Sequence, residues 1–331
     1  MARMKPKIYV TRRIPQPGLD ILAEVFEVEV NPYDRVVTRE ELIAGVKGKD
    51  ALLCLLTDKI DAEVMDAEPR LKVIANYAVG FDNVDVTAAT RRGIPVTNTP
   101  GVLTDTTADL AFTLLLATAR RVVEADKFMR GGRYQGWAPM LLLGQDIHHK
   151  TLGIVGFGRI GQAVAERASG FHMRILYSDA RRASGEVENK YNAEFRELAD
   201  LLRESDFISL HVPLTESTYH LISDEEFDLM KKTAILVNTS RGPVVDEKAL
   251  VRALKAGKIA GAGLDVYERE PECEPELKEL DNVIIVPHIA SASVETRTKM
   301  ATMAAENAVA VIRGEVPPNL VNPEVWEKRR K

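Results

Sequence analysis

The segment TLGIVGFGRIGQAVAERA, residues 151–168, limits the fold of this chain more than any other. Gly156-x-Gly158-x-x-Gly161 alone is a weak signal, because 21 glycines make chance matches easy. Its setting makes it specific. A β-branched run at 152–155 precedes it, a helical run at 160–168 follows, and a second strand-like run at 174–177 leads into Asp179, 18 positions past the last glycine. In such a strand–turn–helix–strand unit the first glycine permits the tight turn. The second lets the backbone approach a pyrophosphate, and the third lets helix and strand pack closely. The helix start then offers free N–H groups and its positive dipole end to the phosphates. Phe157, Arg159 and Ile160 complete this expected dinucleotide turn. A carboxylate at Asp179 accepts hydrogen bonds from the adenosine ribose hydroxyls and repels a 2′-phosphate, which favours NAD(H). Ala180, Arg181 and Arg182 come next, and nearby arginines are how such sites hold NADP(H), so that cofactor stays open.

The rest of the chain has the same alternation. Runs at 8–11, 51–56, 73–77 and 95–98 read as strands, and 18–25, 39–46 and 84–91 read as helices. That order predicts a parallel sheet with crossover helices. From 104 to 130 the periodicity predicts one long helix, with a capping signal at Thr106 and Asp109 and a stop at Gly131-Gly132. Its length would be roughly 40 Å. Six more strand-like runs follow, at 151–155, 174–177, 207–212, 234–238, 262–266 and 283–286, before a terminal helix at 294–313. The expected fold is α/β: two domains, each with its own parallel sheet, a boundary near residue 100 and a last helix that returns to the first domain.

Composition narrows the function. Hydrophobic residues at 45% suffice for cores of this size. A balance of 44 Lys+Arg against 49 Asp+Glu argues against general nucleic-acid binding. The longest nearly apolar stretch, 110–119, is half the ~20 residues needed to span a bilayer. The N-terminus MARMKPKIYV runs into a strand without an apolar signal core. Cys54 and Cys273 form neither a disulfide framework nor a metal-ligand spacing. The expectation is a soluble cytoplasmic protein without metal, membrane or nucleic-acid partners.

In open α/β sheets, ligands bind beyond the carboxyl ends of the strands. After 234–238 comes Thr239-Ser240-Arg241; after 262–266 comes Tyr267-Glu268-Arg269-Glu270; after 283–286 comes Pro287-His288. An arginine, a carboxylate and a histidine thus converge on the edge that carries the glycine turn. These suit hydride transfer to a 2-oxoacid. Imidazole titrates at about pH 6.5 and can protonate the nascent alkoxide. Glu270, hydrogen-bonded to it, would favour the imidazolium and fix the ring. Arg241 can grip a carboxylate in a fork and polarise the carbonyl. The other histidines fit structural roles: His148 and His149 at the surface, His172 and His220 without an obvious carboxylate partner, His211 packed within a strand.

The segments NYAVGFDNVD (76–85), TNTPGVLTDTTADLAFTLLLATAR (97–120), GIVGFGRIGQAVAERA (153–168), VNTSRGPVVDEKAL (237–250), AGAGLDVYEREP (260–271) and VPHIAS (286–291) carry a resemblance to the D-isomer-specific 2-hydroxyacid dehydrogenases. It covers nearly the whole chain and is strongest toward the archaeal branch that reduces glyoxylate. The resemblance implies a triad of Arg241, Glu270 and His288, with His288 as proton donor. It implies substrate contacts from Leu55, Val79 and Gly80, and cofactor contacts from Thr104, Val212, Pro213, Asn238, Thr239, Ser240, Asp265 and Ala290. Ala290 is a departure, since glycine usually follows His-Ile in this family. The resemblance also implies two Rossmann-like/flavodoxin-like parallel-sheet domains with the active site in a cleft between them. In that division a dinucleotide-binding domain, 100–291, is inserted into a discontinuous substrate domain made of 1–99 and 292–331. A homodimer is implied too, with Trp137 reaching the neighbouring subunit's site. The implied reaction is reduction of glyoxylate to glycolate, and of hydroxypyruvate to D-glycerate. Rival readings are a short-form D-3-phosphoglycerate dehydrogenase, another D-2-hydroxyacid dehydrogenase, or a non-catalytic NAD-sensing binding protein of the same family.

Overall fold

The computed structural model describes residues 5–330. Residues 1–4 of the N-terminal reading therefore lie outside the described residues. The chain forms two compact units, one holding the chain up to Leu103 and again from Ala292, the other Thr104–Ser291. Val102 and Leu103 pack into the core of the first unit.

In the first unit the order is β1 (Lys7–Val10), α1 (Gln16–Val25), β2 (Glu27–Val30), α2 (Arg39–Val46), β3 (Ala51–Leu55), α3 (Ala62–Asp66), β4 (Val73–Tyr77), α4 (Val86–Arg91) and β5 (Val96–Thr97). The strands make one parallel sheet, β2-β1-β3-β4-β5. β3 and β4 read as near-continuous apolar runs because helices cover both faces of such a sheet. β2, EVEV, was not among the strands expected. It is an edge strand with half its residues exposed, so it carries no apolar run. α3 was also missed, being a five-residue helix capped by Asp61.

The second unit runs α5 (Thr104–Ala119), α6 (Val122–Arg130), β6 (Thr151–Val155), α7 (Arg159–Ser169), β7 (Arg174–Ser178), α8 (Gly185–Tyr191), β8 (Ala193–Phe195), α9 (Leu198–Glu204), β9 (Phe207–Leu210), α10 (Asp224–Leu229), β10 (Ile235–Asn238), α11 (Glu247–Lys255), β11 (Gly261–Leu264) and β12 (Val283–Ile285). Its sheet order is β12-β11-β10-β9-β6-β7-β8, again parallel throughout. The order reverses direction between β6 and β9. The final helix, α12 (Val294–Arg313), packs on α1 and β4 of the first unit.

The single helix expected over 104–130 is two. Arg121 takes a left-handed backbone, φ 54°, and the chain breaks between Ala119 and Val122. The Ala119 carbonyl accepts the Gln145 N–H at 2.9 Å instead of continuing the helical ladder. Thr106 sits inside α5 rather than before it, and Asp109 binds Arg167 of α7 at 2.6 Å rather than capping. The stop before Gly131 falls where expected, as α6 ends at Arg130.

Among the described residues, no helix is long and apolar enough to cross a membrane, and no group of three or more His, Cys, Asp or Glu is placed to hold a metal.

Candidate functional site

The glycine turn leaves β6 at the point where the sheet order reverses, the usual place for a nucleotide in an open α/β sheet. Gly156 has φ +93°, and a Cβ there would stand 2.7 Å from the His211 carbonyl carbon after β9. A Cβ on Gly161 would stand 2.2 Å from the Gly156 oxygen, so α7 can start only if this position is bare. At Gly158 a Cβ would meet nothing within 4 Å. That open cradle ahead of the α7 N-terminus fits a pyrophosphate. Two buried polar atoms on the same edge have no hydrogen-bond partner, Thr239 Oγ1 after β10 and His211 Nδ1 after β9. These features fit a dinucleotide held by this edge. Gly158→Ala is therefore expected to leave the thermal midpoint unchanged and to weaken NADH binding about tenfold or more, since Ala is tolerated by the fold but fills the cradle. Unchanged NADH affinity would contradict the placement.

Asp179 follows β7, and its carboxylate already has main-chain partners. Oδ2 accepts the Phe157 N–H at 2.7 Å and Oδ1 the Arg181 N–H at 3.2 Å. The Phe157 ring stacks on Tyr177 at 4.3 Å. Arg182 is bound to Glu188 at 2.8 and 3.1 Å, whereas Ala180 and Arg181 are exposed. Arg159 and Ile160 form the first turn of α7, and Thr104 begins α5.

Beyond β10, β11 and β12 the three catalytic candidates emerge. Asn238 ends β10, and its buried amide shapes the turn that follows. Oδ1 accepts the Ser240 N–H and hydroxyl at 3.0 and 2.8 Å, and Nδ2 donates to the Arg241 carbonyl at 3.0 Å. This presents Arg241, whose Nη1 donates to the Ser240 carbonyl at 2.9 Å. Glu270 Oε2 lies 2.8 Å from His288 Nδ1, with both side chains about one quarter exposed. A carboxylate only accepts, so Nδ1 carries the hydrogen and Nε2 is the ring atom left for proton exchange with a substrate.

His288 has a left-handed backbone, φ 52°, a conformation that surrounding bonds must hold in place. Asp265, at the end of β11, supplies them. Its carbonyl accepts the His288 N–H at 2.9 Å, and its carboxylate accepts the Ile289 and Ala290 N–H groups at 2.6 and 2.9 Å. Burial pushes the Asp265 carboxyl up to about 6, opposed by those amide bonds and by the neighbouring His288. Asp265 and Ala290, expected as cofactor contacts, are thus joined to each other beneath the histidine.

Val212 and Pro213 lie just past β9. So does His211, expected inside the strand. Its Nε2 meets the Ser209 hydroxyl at 2.8 Å, and burial pushes its pKa down to about 3, so the ring is neutral. His220 has the carboxylate neighbour that its local sequence does not reveal, Glu268 Oε1 at 3.3 Å. His148, His149 and His172 are exposed.

Leu55, Val79 and Gly80 belong to the first unit: Leu55 ends β3, and Val79 and Gly80 follow β4. The Leu55 N–H is held by buried Asp58 at 2.8 Å; the Val79 and Gly80 carbonyls accept from Asn98 and Asn76 at 2.8 and 2.9 Å. Trp137 stands on the irregular segment after α6 and is 82% exposed.

A parallel sheet in this order, with a glycine cradle at its reversal, is a dinucleotide-binding domain. Residues 112–290 match the D-isomer specific 2-hydroxyacid dehydrogenase NAD binding domain. The chain is 58% identical over 331 residues to the glyoxylate reductase of Thermococcus kodakarensis, covering 99% of both. It is 58% identical over 329 residues to that of Korarchaeum cryptofilum, covering 98% of both. It also resembles the solved NADPH-dependent glyoxylate/hydroxypyruvate reductase of Sinorhizobium meliloti in complex with NADP and malonate. There the TM-score is 0.85 at 35% identity, over 97% of this chain and 98% of that one. The chain belongs to the D-isomer specific 2-hydroxyacid dehydrogenase family.

Proposed function

We propose that the protein reduces glyoxylate to glycolate, and hydroxypyruvate to D-glycerate as a second reaction, with His288 as proton donor. The observation that carries this reading is the Glu270–His288 pair, 2.8 Å apart on the sheet edge that bears the glycine cradle. Glyoxylate reductases at 55–58% identity over nearly the whole chain support the choice of substrate.

A dihydronicotinamide cofactor held at the glycine cradle of Gly156, Gly158 and Gly161 would supply the hydride for the substrate's carbonyl carbon. Arg241 binds the substrate carboxylate and draws electron density from the carbonyl. His288 gives its Nε2 proton to the carbonyl oxygen as that oxygen gains charge, and Glu270 stabilises the ring through Nδ1. One hydride and one proton balance the reduction of the carbonyl, an aldehyde in glyoxylate and a ketone in hydroxypyruvate, to the alcohol, and His288 then recovers its proton from solvent. In this reading Leu55, Val79 and Gly80 complete the substrate's surroundings, with Trp137 contributed by a second copy. Exposed Tyr134, Trp137, Met140 and Leu143, all on one segment, support a homodimer. The two free cysteines fit a cytoplasmic enzyme.

NADH is the preferred cofactor in this account. Asp179 sets a negative charge beside the turn, and Glu188 holds Arg182 in an ion pair. Asp179→Ser is expected to raise the ratio of NADPH to NADH efficiency about tenfold, through loss of that repulsion. An unchanged ratio would remove Asp179 from cofactor choice. The function itself is tested by following NADH loss with purified protein and glyoxylate. Binding of NADH without turnover of any 2-oxoacid would overturn it.

A further inference from the structure

The loop that carries Glu270 is held from beneath by a carboxylate on another element. Glu247, the first residue of α11, is 4% exposed. Its Oε1 accepts the Glu268 N–H, and its Oε2 accepts the Glu274 N–H at 2.8 Å. Its own N–H donates to Glu268 Oε1 at 2.8 Å. One side chain thus fastens two points of the loop, and Glu270 lies between them. Within the loop, Glu270 Oε1 accepts the Tyr267 N–H at 3.1 Å, while Oε2 faces His288. The Tyr267 hydroxyl donates to the Val286 carbonyl at 2.8 Å, tying the loop to the chain that enters His288.

We propose that Glu247 is a positioning residue for proton transfer, a buried clamp that sets the Glu270 carboxylate and, through it, the His288 ring. The inference rests on His288 being the proton donor. Charge-assisted bonds to main-chain N–H groups are strong and directional. One carboxylate can therefore fix a loop whose own main-chain bonding around Glu270 is a single turn, in which the Glu272 N–H donates to the Arg269 carbonyl at 2.9 Å. The surrounding charges do not duplicate the clamp. Glu268 and Glu274 bring only further carboxylates, and His220 faces Glu268 rather than Glu247. Burial and those neighbouring carboxylates push the Glu247 carboxyl up, while the two amide bonds oppose them; the buried acid is kept where it serves as acceptor for both.

Two variants separate positioning from mere stability. Glu247→Gln keeps the length but turns an amide NH₂ toward one of the two N–H donors. Glu247→Asp keeps the charge but falls one methylene short. Both are expected to lower kcat about ten- to a hundredfold, the scale of a misplaced catalytic group, with KM for glyoxylate and NADH affinity held. In the cofactor-free enzyme, the downfield His288 Nδ1–H proton signal, identified by its loss in Glu270→Ala, is expected to weaken or move upfield. An unchanged kcat and signal would overturn the proposal. So would unfolding of both variants, or a lowered thermal midpoint with the signal intact, either of which assigns Glu247 to stability. Failure of the proton-donor reading would look different, since His288→Ala would then keep its turnover.

Discussion

Replacing His288 with alanine is expected to lower kcat for glyoxylate by about 10²–10⁴, the range that a positioned general acid contributes. NADH affinity, read by fluorescence titration, should stay near the wild-type value, because the glycine cradle is built after β6 and does not use the imidazole. Glu270→Gln should fall less, by about tenfold, since an amide oxygen can still accept the Nδ1–H but supplies no charge. The order of the two losses matters as much as their size. A Glu270→Gln loss equal to that of His288→Ala would mean that the charge, not the ring, carries the step. Full turnover in His288→Ala would remove the mechanism altogether.

Gly242→Ala is expected to produce the largest structural effect of any single methyl group near the site. A Cβ there would lie 1.8 Å from the Tyr267 carbonyl carbon and 1.9 Å from its oxygen, with the Glu268 nitrogen at 2.5 Å. All three are main-chain atoms, so no side chain can rotate away. The segments after β10 and β11 must separate, at a cost of about 3 kcal/mol, the upper end for forced overpacking. Arg241 precedes the glycine and Glu270 follows Tyr267 by three residues, so activity should fall with the thermal midpoint. A stable and active Gly242→Ala protein would show that the two loops are not in contact as described. Gly158→Ala is the matched comparison, because its Cβ enters open space.

What the sequence could reveal divides along physical lines. Strands buried on both faces, such as β3 and β4, announce themselves as apolar runs, and β6 with α7 is marked by a glycine spacing set between a strand and a helix, as a nucleotide turn requires. Glu270 and His288 could be paired because strand ends in a parallel sheet share one edge, although 18 residues separate them. The edge strands β2 and β8 were missed because they are only four and three residues long: the alternation of EVEV is too brief to stand out, and AEF has none to show. The break at Arg121 was hidden because its cause is distant: Gln145 takes the Ala119 carbonyl from outside the helix. The same limit applied within the site. Asp179 binding Phe157, Asp265 binding Ile289 and Ala290, and Glu247 binding Glu268 and Glu274 are all side-chain bonds to main-chain N–H groups. Such bonds need only an acidic residue at the right point in space. No residue type at the receiving end marks them in the sequence.

Family membership leaves open which 2-oxoacid the enzyme prefers. The most direct measurement is kcat/KM for glyoxylate, hydroxypyruvate, pyruvate and phosphohydroxypyruvate, each with NADH and with NADPH, on the purified full chain. Glyoxylate with NADH is expected to give the highest value and hydroxypyruvate the second. A highest value for phosphohydroxypyruvate, or no oxidation of either cofactor by any of the four, would contradict this expectation.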